Sequence, residues 1–253
     1  MQFTIEAACG CHTGNIRKTN EDNFFFEGKC LPADNTGLKT PVSFEQPVKN
    51  GLCLAVFDGM GGENYGELAS FAAARQLQQT QRTMTDFFVP EKKYLLQLTQ
   101  QLNHAVVQKK EELLTEKMGT TMVALYFTNR RVYVCNVGDS RAYRLRAGEF
   151  QQISLDHTEK RPGREGRKAP LTQHLGIAPE DMLLEPHIAK GELAAGDIYL
   201  LCSDGLTDML TNFEIADILL RDTDAEACAQ ALLQAALANG GKDNVTVIVC
   251  KIY

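Results

Sequence analysis

Long apolar runs are missing from this chain. No stretch approaches the roughly 20 apolar residues that a bilayer-spanning helix needs. The most apolar run, Ile198–Cys202, is strand-sized. The opening MQFTIEAACGCHTGN has no basic segment followed by an apolar one, so no secretory signal is read there. Positive charge is also short: 26 Lys and Arg stand against 32 Asp and Glu, a net of −6. That gives no support to a nucleic-acid binder, which is usually basic. Cysteine is too sparse for a disulfide scaffold, with eight in 253 residues. Cys53, Cys135, Cys202 and Cys250 fall in predicted core strands, where free thiols act as small apolar residues. Cys9 and Cys11 form a lone C-x-C, and no second cluster completes a zinc site. A cytoplasmic protein with no membrane and no nucleic-acid partner is expected. G-x-S-x-G is absent and GGKD is not a Walker loop, which removes α/β-hydrolase and P-loop chemistry.

What is present is an ordinary globular composition, 44% hydrophobic and 23% charged. The length allows one large domain or two small ones. No internal repeat or linker divides the chain, so a single domain over 1–253 is expected. Strands are predicted at Phe3–Cys9, Phe24–Phe26, Leu52–Phe57, Thr120–Phe127, Val132–Val137, Arg141–Arg146, Phe150–Ile153, Asp197–Cys202 and Val245–Tyr253. Helical spacing marks Gly66–Thr80, Glu91–Lys117, a segment capped by Asn212 and running to Leu220, and Asp224–Ala238, stopped by Asn239-Gly240-Gly241. Residues 28–50 and 158–170 read as loops. Strands outnumber helices and tight turns join them. The order predicts antiparallel sheets with helices outside, not alternating βαβ units.

The informative feature is where the acids fall. Asp58 (LAVFDGMGG), Asp139 (VCNVGDSR), Asp204 (YLLCSDGL) and Asp243 (GGKDNVTVIV) stand at or just past predicted strand ends. Glu21 and Asp22 add two carboxylates behind Arg17. One Asp-Gly pair is a common turn signal. Recurrence of that pair, beside the NED run, points instead to ligands for hard cations such as Mg²⁺ or Mn²⁺. Zinc would call for His or Cys. Two such ions acidify a shared water and clamp substrate oxygens, and a phosphate ester is the natural substrate. Arg17 suits a phosphate by bidentate contact.

The stretches GNIRKTNED (14–22), VFDGMGGENYGELAS (56–70), MGTT (118–121), NVGDSRAY (136–143), LDHT (155–158), LTQHLG (171–176), LLCSDGLTD (200–208) and GGKDNVTVIV (240–249) resemble the metal-dependent serine/threonine protein phosphatases of type 2C (PPM) in their compact bacterial form. They come in family order and span nearly the whole chain. The resemblance implies an α+β, four-layer αββα sandwich of two antiparallel sheets flanked by helix pairs. It also implies roles. Asp58 would bridge two Mn²⁺ or Mg²⁺ ions. Glu21 and the Gly59 carbonyl would complete one site, and Asp204 with Asp243 the other. Asp139 would share a third, weaker ion with Asp204. Asp22 would act through a water, Asn244 would orient a ligand, and Arg17 would bind the substrate phosphate. Water or hydroxide held between the ions would attack phosphoserine or phosphothreonine in one step, with no phosphoenzyme. The partners implied are phosphorylated proteins, including a serine/threonine kinase or its targets, met by a monomer.

Some matching residues read as structure. Thr120 and Thr121 support the strand bearing the site, Glu67 and Ser70 pack or cap the first helix, and Phe24–Phe26 is core with one exposed ring. Three positions depart from the family pattern. Met60 stands where eukaryotic relatives carry a histidine proposed as the general acid. A metal-bound water is then the preferred proton donor, and His157 and His174 read as structural. Glu63 also replaces a histidine. The 158–170 segment is a short flap carrying Lys160, Arg161, Arg164, Arg167 and Lys168, a solvated loop or a basic rim for an acidic phosphopeptide. Two alternatives share the fold or the chemistry: a non-catalytic pseudophosphatase, which predicts eroded ligands, and a phosphatase of small phosphate esters.

Overall fold

A computed structural model describes residues 2–60, 65–80, 89–159, 169–221 and 224–253. The elements run β1 (Thr4–His12), β2 (Asp22–Phe25), β3 (Val42–Pro47), β4 (Leu52–Met60), α1 (Gly66–Gln79), α2 (Glu91–Leu113), β5 (Gly119–Thr120), β6 (Met122–Phe127), β7 (Arg131–Val137), β8 (Arg141–Arg146), β9 (Glu149–Gln152), β10 (His187–Glu192), β11 (Ile198–Cys202), α3 (Asp204–Thr207), α4 (Asn212–Arg221), α5 (Ala225–Ala238) and β12 (Val245–Ile252).

Two antiparallel sheets result. One has the order β3-β1-β12-β11-β8-β9, the other β10-β7-β6-β4-β2, with β5 paired to β4. Their facing sides interdigitate around Ile5, Val56, Leu125, Val134, Leu201 and Ile248, all fully or nearly fully buried. The outer side of the first sheet meets α3, α4 and α5 through Tyr143, Leu200, Ile215, Leu232 and Val247. The outer side of the second meets α1 and α2 through Phe57, Ala73, Leu102 and Val106. Strands such as β6 and β12 are covered on both faces and buried along their whole length, which is why they read as continuous apolar runs. The αββα expectation holds.

Several boundaries differ from the sequence reading, each for a physical reason. The 28–50 segment is not all loop: β3 lies there as an edge strand, pairing with β1 from Val42 to Pro47. Its residues are mostly exposed, so no apolar alternation marked it, and Pro47 is tolerated because an edge strand needs no donor on its outer side. β10 was unforeseen for the same reason, since HIAKGE carries little apolar signal. α2 stops at Leu113, not Lys117. Leu114 adopts a left-handed conformation (φ 51°, ψ 43°) and its N–H bonds to the Glu111 carbonyl. The cap of α4 is Thr211, not Asn212: Thr211 N–H and Oγ1 both bond to Glu214 Oε2, and Glu214 N–H returns to Thr211 Oγ1, a capping box. Phe24 and Phe26 are core, as expected, but Phe25 is half-buried against the α1–α2 layer rather than exposed. All eight cysteines are free thiols, and burial pushes the Cys11 thiol up to about 12. Among the described residues, no helix is long and apolar enough to cross a membrane.

Candidate metal and phosphate site

The acids gather where the second sheet's β2 and β4 meet the first sheet's β11 and β12. In the β2–β4 ladder, Asp22 stands directly opposite Asp58, so both carboxylates leave on the same face. Two like charges so placed destabilise a sheet, and apolar packing cannot account for them. Asp22 is buried, and its Oδ2 accepts 2.7 Å hydrogen bonds from Ser203 Oγ and from Thr246 Oγ1. Ser203 immediately precedes Asp204, the first residue of α3, which is itself buried. Asp22 thereby ties the two sheets together across the site.

The backbone of Asp58 is fully committed. Its N–H donates to Thr121 Oγ1 at 3.1 Å, and its carbonyl accepts from Thr121 N–H at 2.8 Å and Thr120 Oγ1 at 2.9 Å. Thr121 Oγ1 also meets Ser140 Oγ at 2.7 Å. Gly138, with φ +101°, packs on Thr121 so closely that a Cβ would lie 2.7 Å from its Cγ2. The two threonines thus join the Asp58 strand to the loop that carries Asp139.

The glycines of the Asp-Gly pairs are explained by close backbone contacts. β4 continues through Asp58 and Gly59 to Met60, and Asp58 lies within the strand. A Cβ on Gly59 would stand 2.1 Å from the Gly66 carbonyl and 2.5 Å from that of Glu21. A Cβ on Gly205 would stand 1.9 Å from the Asn244 carbonyl. In both pairs glycine lets a neighbouring backbone approach.

The third wall is the loop from Thr13 to Glu21, locked to the start of β12. Asn244 Nδ2 donates to the carbonyls of Thr13 and Thr19, and Asn244 Oδ1 accepts from Glu21 N–H at 2.8 Å. Asn244 thereby holds the Glu21 loop against the start of β12. Arg17 Nη2 bonds to Asp243 Oδ2 at 2.8 Å, and its Nη1 is 3.9 Å from Glu21 Oε2. The guanidinium is held above its usual value by the bond to Asp243, against some desolvation and with help from the charges of Asp243, Glu21 and Asp58. Glu21 is pushed up by burial first, with Arg17 opposing and Glu67 and Asp243 adding to the rise.

Glu67 was read as packing, yet it carries a second signal. It lies in the first turn of α1, and its Oε2 is buried with no hydrogen-bond partner. An orphaned carboxylate oxygen beside Glu21 is a group that a cation would relieve. Among the described residues, no three His, Cys, Asp or Glu side chains stand in an arrangement that holds a metal ion as placed. Arg17 occupies Asp243, and two hydroxyls occupy Asp22. The donor set nevertheless fits a hard cation: it is all oxygen, on backbones fixed by Thr121 and Asn244.

His157 and His174 both have ring nitrogens engaged with backbone groups, His174 Nδ1 lying 2.9 Å from the Leu175 carbonyl. His157 Nδ1 accepts from Gly138 N–H at 3.1 Å, and the His157 backbone N–H donates to the Gly138 carbonyl. Burial lowers both histidines. Ser203, Ser140 and Thr246 were missed. Serine and threonine in strands carry no distinctive pattern, and only their place beside motif acids could have singled them out. Glu63 and the five basic residues of the flap lie outside the described residues.

Residues 42–239 match the family model for protein phosphatase 2C. The chain belongs to that family. The serine/threonine protein phosphatase PstP of Mycobacterium tuberculosis is 38% identical over 79% of this chain, which spans 40% of PstP's length. The serine/threonine phosphatase stp of Listeria welshimeri is 32% identical over 93% of this chain and 91% of its own. The catalytic domain of PstP, solved in complex with two manganese ions, is 31% identical with a TM-score of 0.73, each chain covered to 99%. Among protein phosphatases 2C, then, the likeness extends along nearly the whole chain in both sequence and fold.

Proposed function

We propose that this chain hydrolyses phosphoserine and phosphothreonine esters in proteins, using two divalent cations, Mn²⁺ or Mg²⁺. It does so as a single catalytic unit over 1–253, a monomer in the cytoplasm that opposes a serine/threonine kinase. The observation that carries the reading is the Asp22–Asp58 pair on one face of β2 and β4. A sheet keeps such a pair where something positive is bound. Its relatives' names supply the substrate class.

When bound, the ions supply the positive charge that acidifies a water and holds phosphoryl oxygens. The protein's own groups do the rest. Asp58, its backbone immobilised by Thr120 and Thr121, would be held in common by the two ions. Glu21 and the Gly59 carbonyl would serve one ion, and Asp204 and Asp243 the other. Asp139 and Asp204 would hold a weaker third. Asp22, fixed by Ser203 and Thr246, orients water at the site. Arg17 is half-exposed beside Asp243, free to swing its planar fork onto an incoming phosphate.

The test is phosphate release from a phosphothreonine peptide with EDTA, Mg²⁺ or Mn²⁺, beside calorimetric Mn²⁺ titration. Release should require metal, and Asp58→Asn should abolish both release and the tighter Mn²⁺ binding. A folded protein that binds Mn²⁺ but releases no phosphate would point to the binding-module alternative. Turnover of p-nitrophenyl phosphate without peptide turnover would point to small esters.

A further inference from the structure

A cavity of about 350 Å³ opens between the two sheets, where β8 and β9 face β7 and β10. That is the size of a small-molecule site. It lies toward the opposite edge of the second sheet from β2, away from the carboxylates described above. Its apolar wall comes from both sheets: Val132, Val134 and Ala189 on one side, Ile153 and Tyr199 on the other.

One charged side chain faces this space with its hydrogen bonding incomplete. Arg144 shares a strand face with Ala142, which sits in the inter-sheet core. Its Nη2 donates to Gln151 Oε1 at 3.3 Å. Its Nε is buried and meets no acceptor. Leaving a buried donor unmet costs on the order of 1–3 kcal/mol, more for a charged group. No Asp or Glu lines the cavity, so nothing there neutralises the guanidinium.

The facing wall is preformed. Asn136 Nδ2 donates to the Leu155 carbonyl at 2.7 Å, and Asn136 Oδ1 accepts from Leu155 N–H at 3.1 Å. His187 Nδ1 lies 3.2 Å from the same Oδ1, and so acts as the donor. Burial lowers His187, and Lys190, the other cation that lines the cavity, is solvent-exposed, which leaves Arg144 on the opposite wall as its less solvated cation. An apolar slot with one unmet, permanently charged fork matches a ligand with one carboxylate and an apolar body. A bare inorganic anion would leave the apolar wall wet.

We propose that this inter-sheet cavity binds a small amphipathic carboxylate, its apolar body against Val134 and Tyr199 and its carboxylate on the Arg144 guanidinium. The test uses the full chain in EDTA, titrated calorimetrically with octanoate, octanol and inorganic phosphate. Octanoate should bind at one site. Arg144→Met should weaken octanoate by about tenfold or more, the worth of a charge-assisted bond, and leave octanol nearly unchanged. Ala189→Met, which fills the slot from the other sheet and keeps Arg144, should weaken both. Each variant is checked for a cooperative thermal transition first, and either one suffices. Absence of octanoate binding, equal binding in the folded variants, or phosphate binding as tightly as octanoate would each overturn the proposal.

Discussion

Single residues set the site by what surrounds them more than by their own identity. Thr120 and Thr121 use up the backbone of Asp58 and so fix where its carboxylate stands. Among the described glycines, Gly205 lies in the most demanding contact, where a Cβ would stand 1.9 Å from the Asn244 carbonyl. Neither backbone can yield without moving Asp204 or the Asn244 anchor of the Glu21 loop. Gly205→Ala should therefore lower stability by about 1–3 kcal/mol and reduce phosphate release together with it. Gly148→Ala, in open space though at φ +83°, should cost about 1 kcal/mol from its backbone conformation alone and leave turnover intact. Urea midpoints and peptide turnover of the two variants check this. Equal loss of turnover in both would remove the close-approach explanation.

Elements differ in how clearly they were written into the chain. The buried strands β4, β6, β11 and β12 were legible because apolar runs of that length have few other homes. The edge strands β3 and β10 were not, because a strand with one solvated side and one neighbour needs no strong pattern. Helix ends depended on local bonds that composition does not reveal. The α4 capping box rests on Thr211, and Thr211→Ala should cost about 1 kcal/mol, read as a lower urea midpoint. At the end of α2, Leu114 is almost fully exposed and held left-handed, a conformation that costs a branched residue about 1–2 kcal/mol. Leu114→Gly should raise stability by roughly 1 kcal/mol. A lowered thermal midpoint in that variant would mean that the flexibility glycine adds to the unfolded chain outweighs the strain removed.

At the scale of the whole molecule, the two sheets are joined at one end by the carboxylate site and elsewhere by their core. One buried acid anchors the first sheet's far side. Asp197 is fully buried at its side chain, bonded to Arg146, the Ala194 N–H and the Tyr199 hydroxyl. Burial pushes its carboxyl up, but those donors outweigh it and hold the group below the usual carboxylate range. A folded value below the unfolded one, about 3.9, means that this stabilisation is complete above that pH. It is lost as pH falls through the folded value. Asp197→Asn should lower stability at pH 7 by about 1.5–3 kcal/mol and flatten the acid limb of the stability profile. Denaturant melts at pH 7 and at pH 3 measure both effects. An unchanged acid limb would assign that pH dependence to other carboxylates.

The sequence by itself determined the family, through motifs in the order of a protein phosphatase 2C, and offered the candidate groups: acids near strand ends and an arginine four residues before Glu21. Motif acids are visible in sequence because turns and strand ends limit which residues can stand there. Only the tertiary structure decided what each acid faces. It set Asp22 against Asp58 across a ladder and bound Asp22 to hydroxyls more than 180 positions away. It pressed neighbouring backbones onto the glycines of the Asp-Gly pairs, left a carboxylate oxygen of Glu67 unmet, and opened a cavity at Arg144. Such facts arise from contacts between residues far apart in the chain, and local pattern carries no record of them.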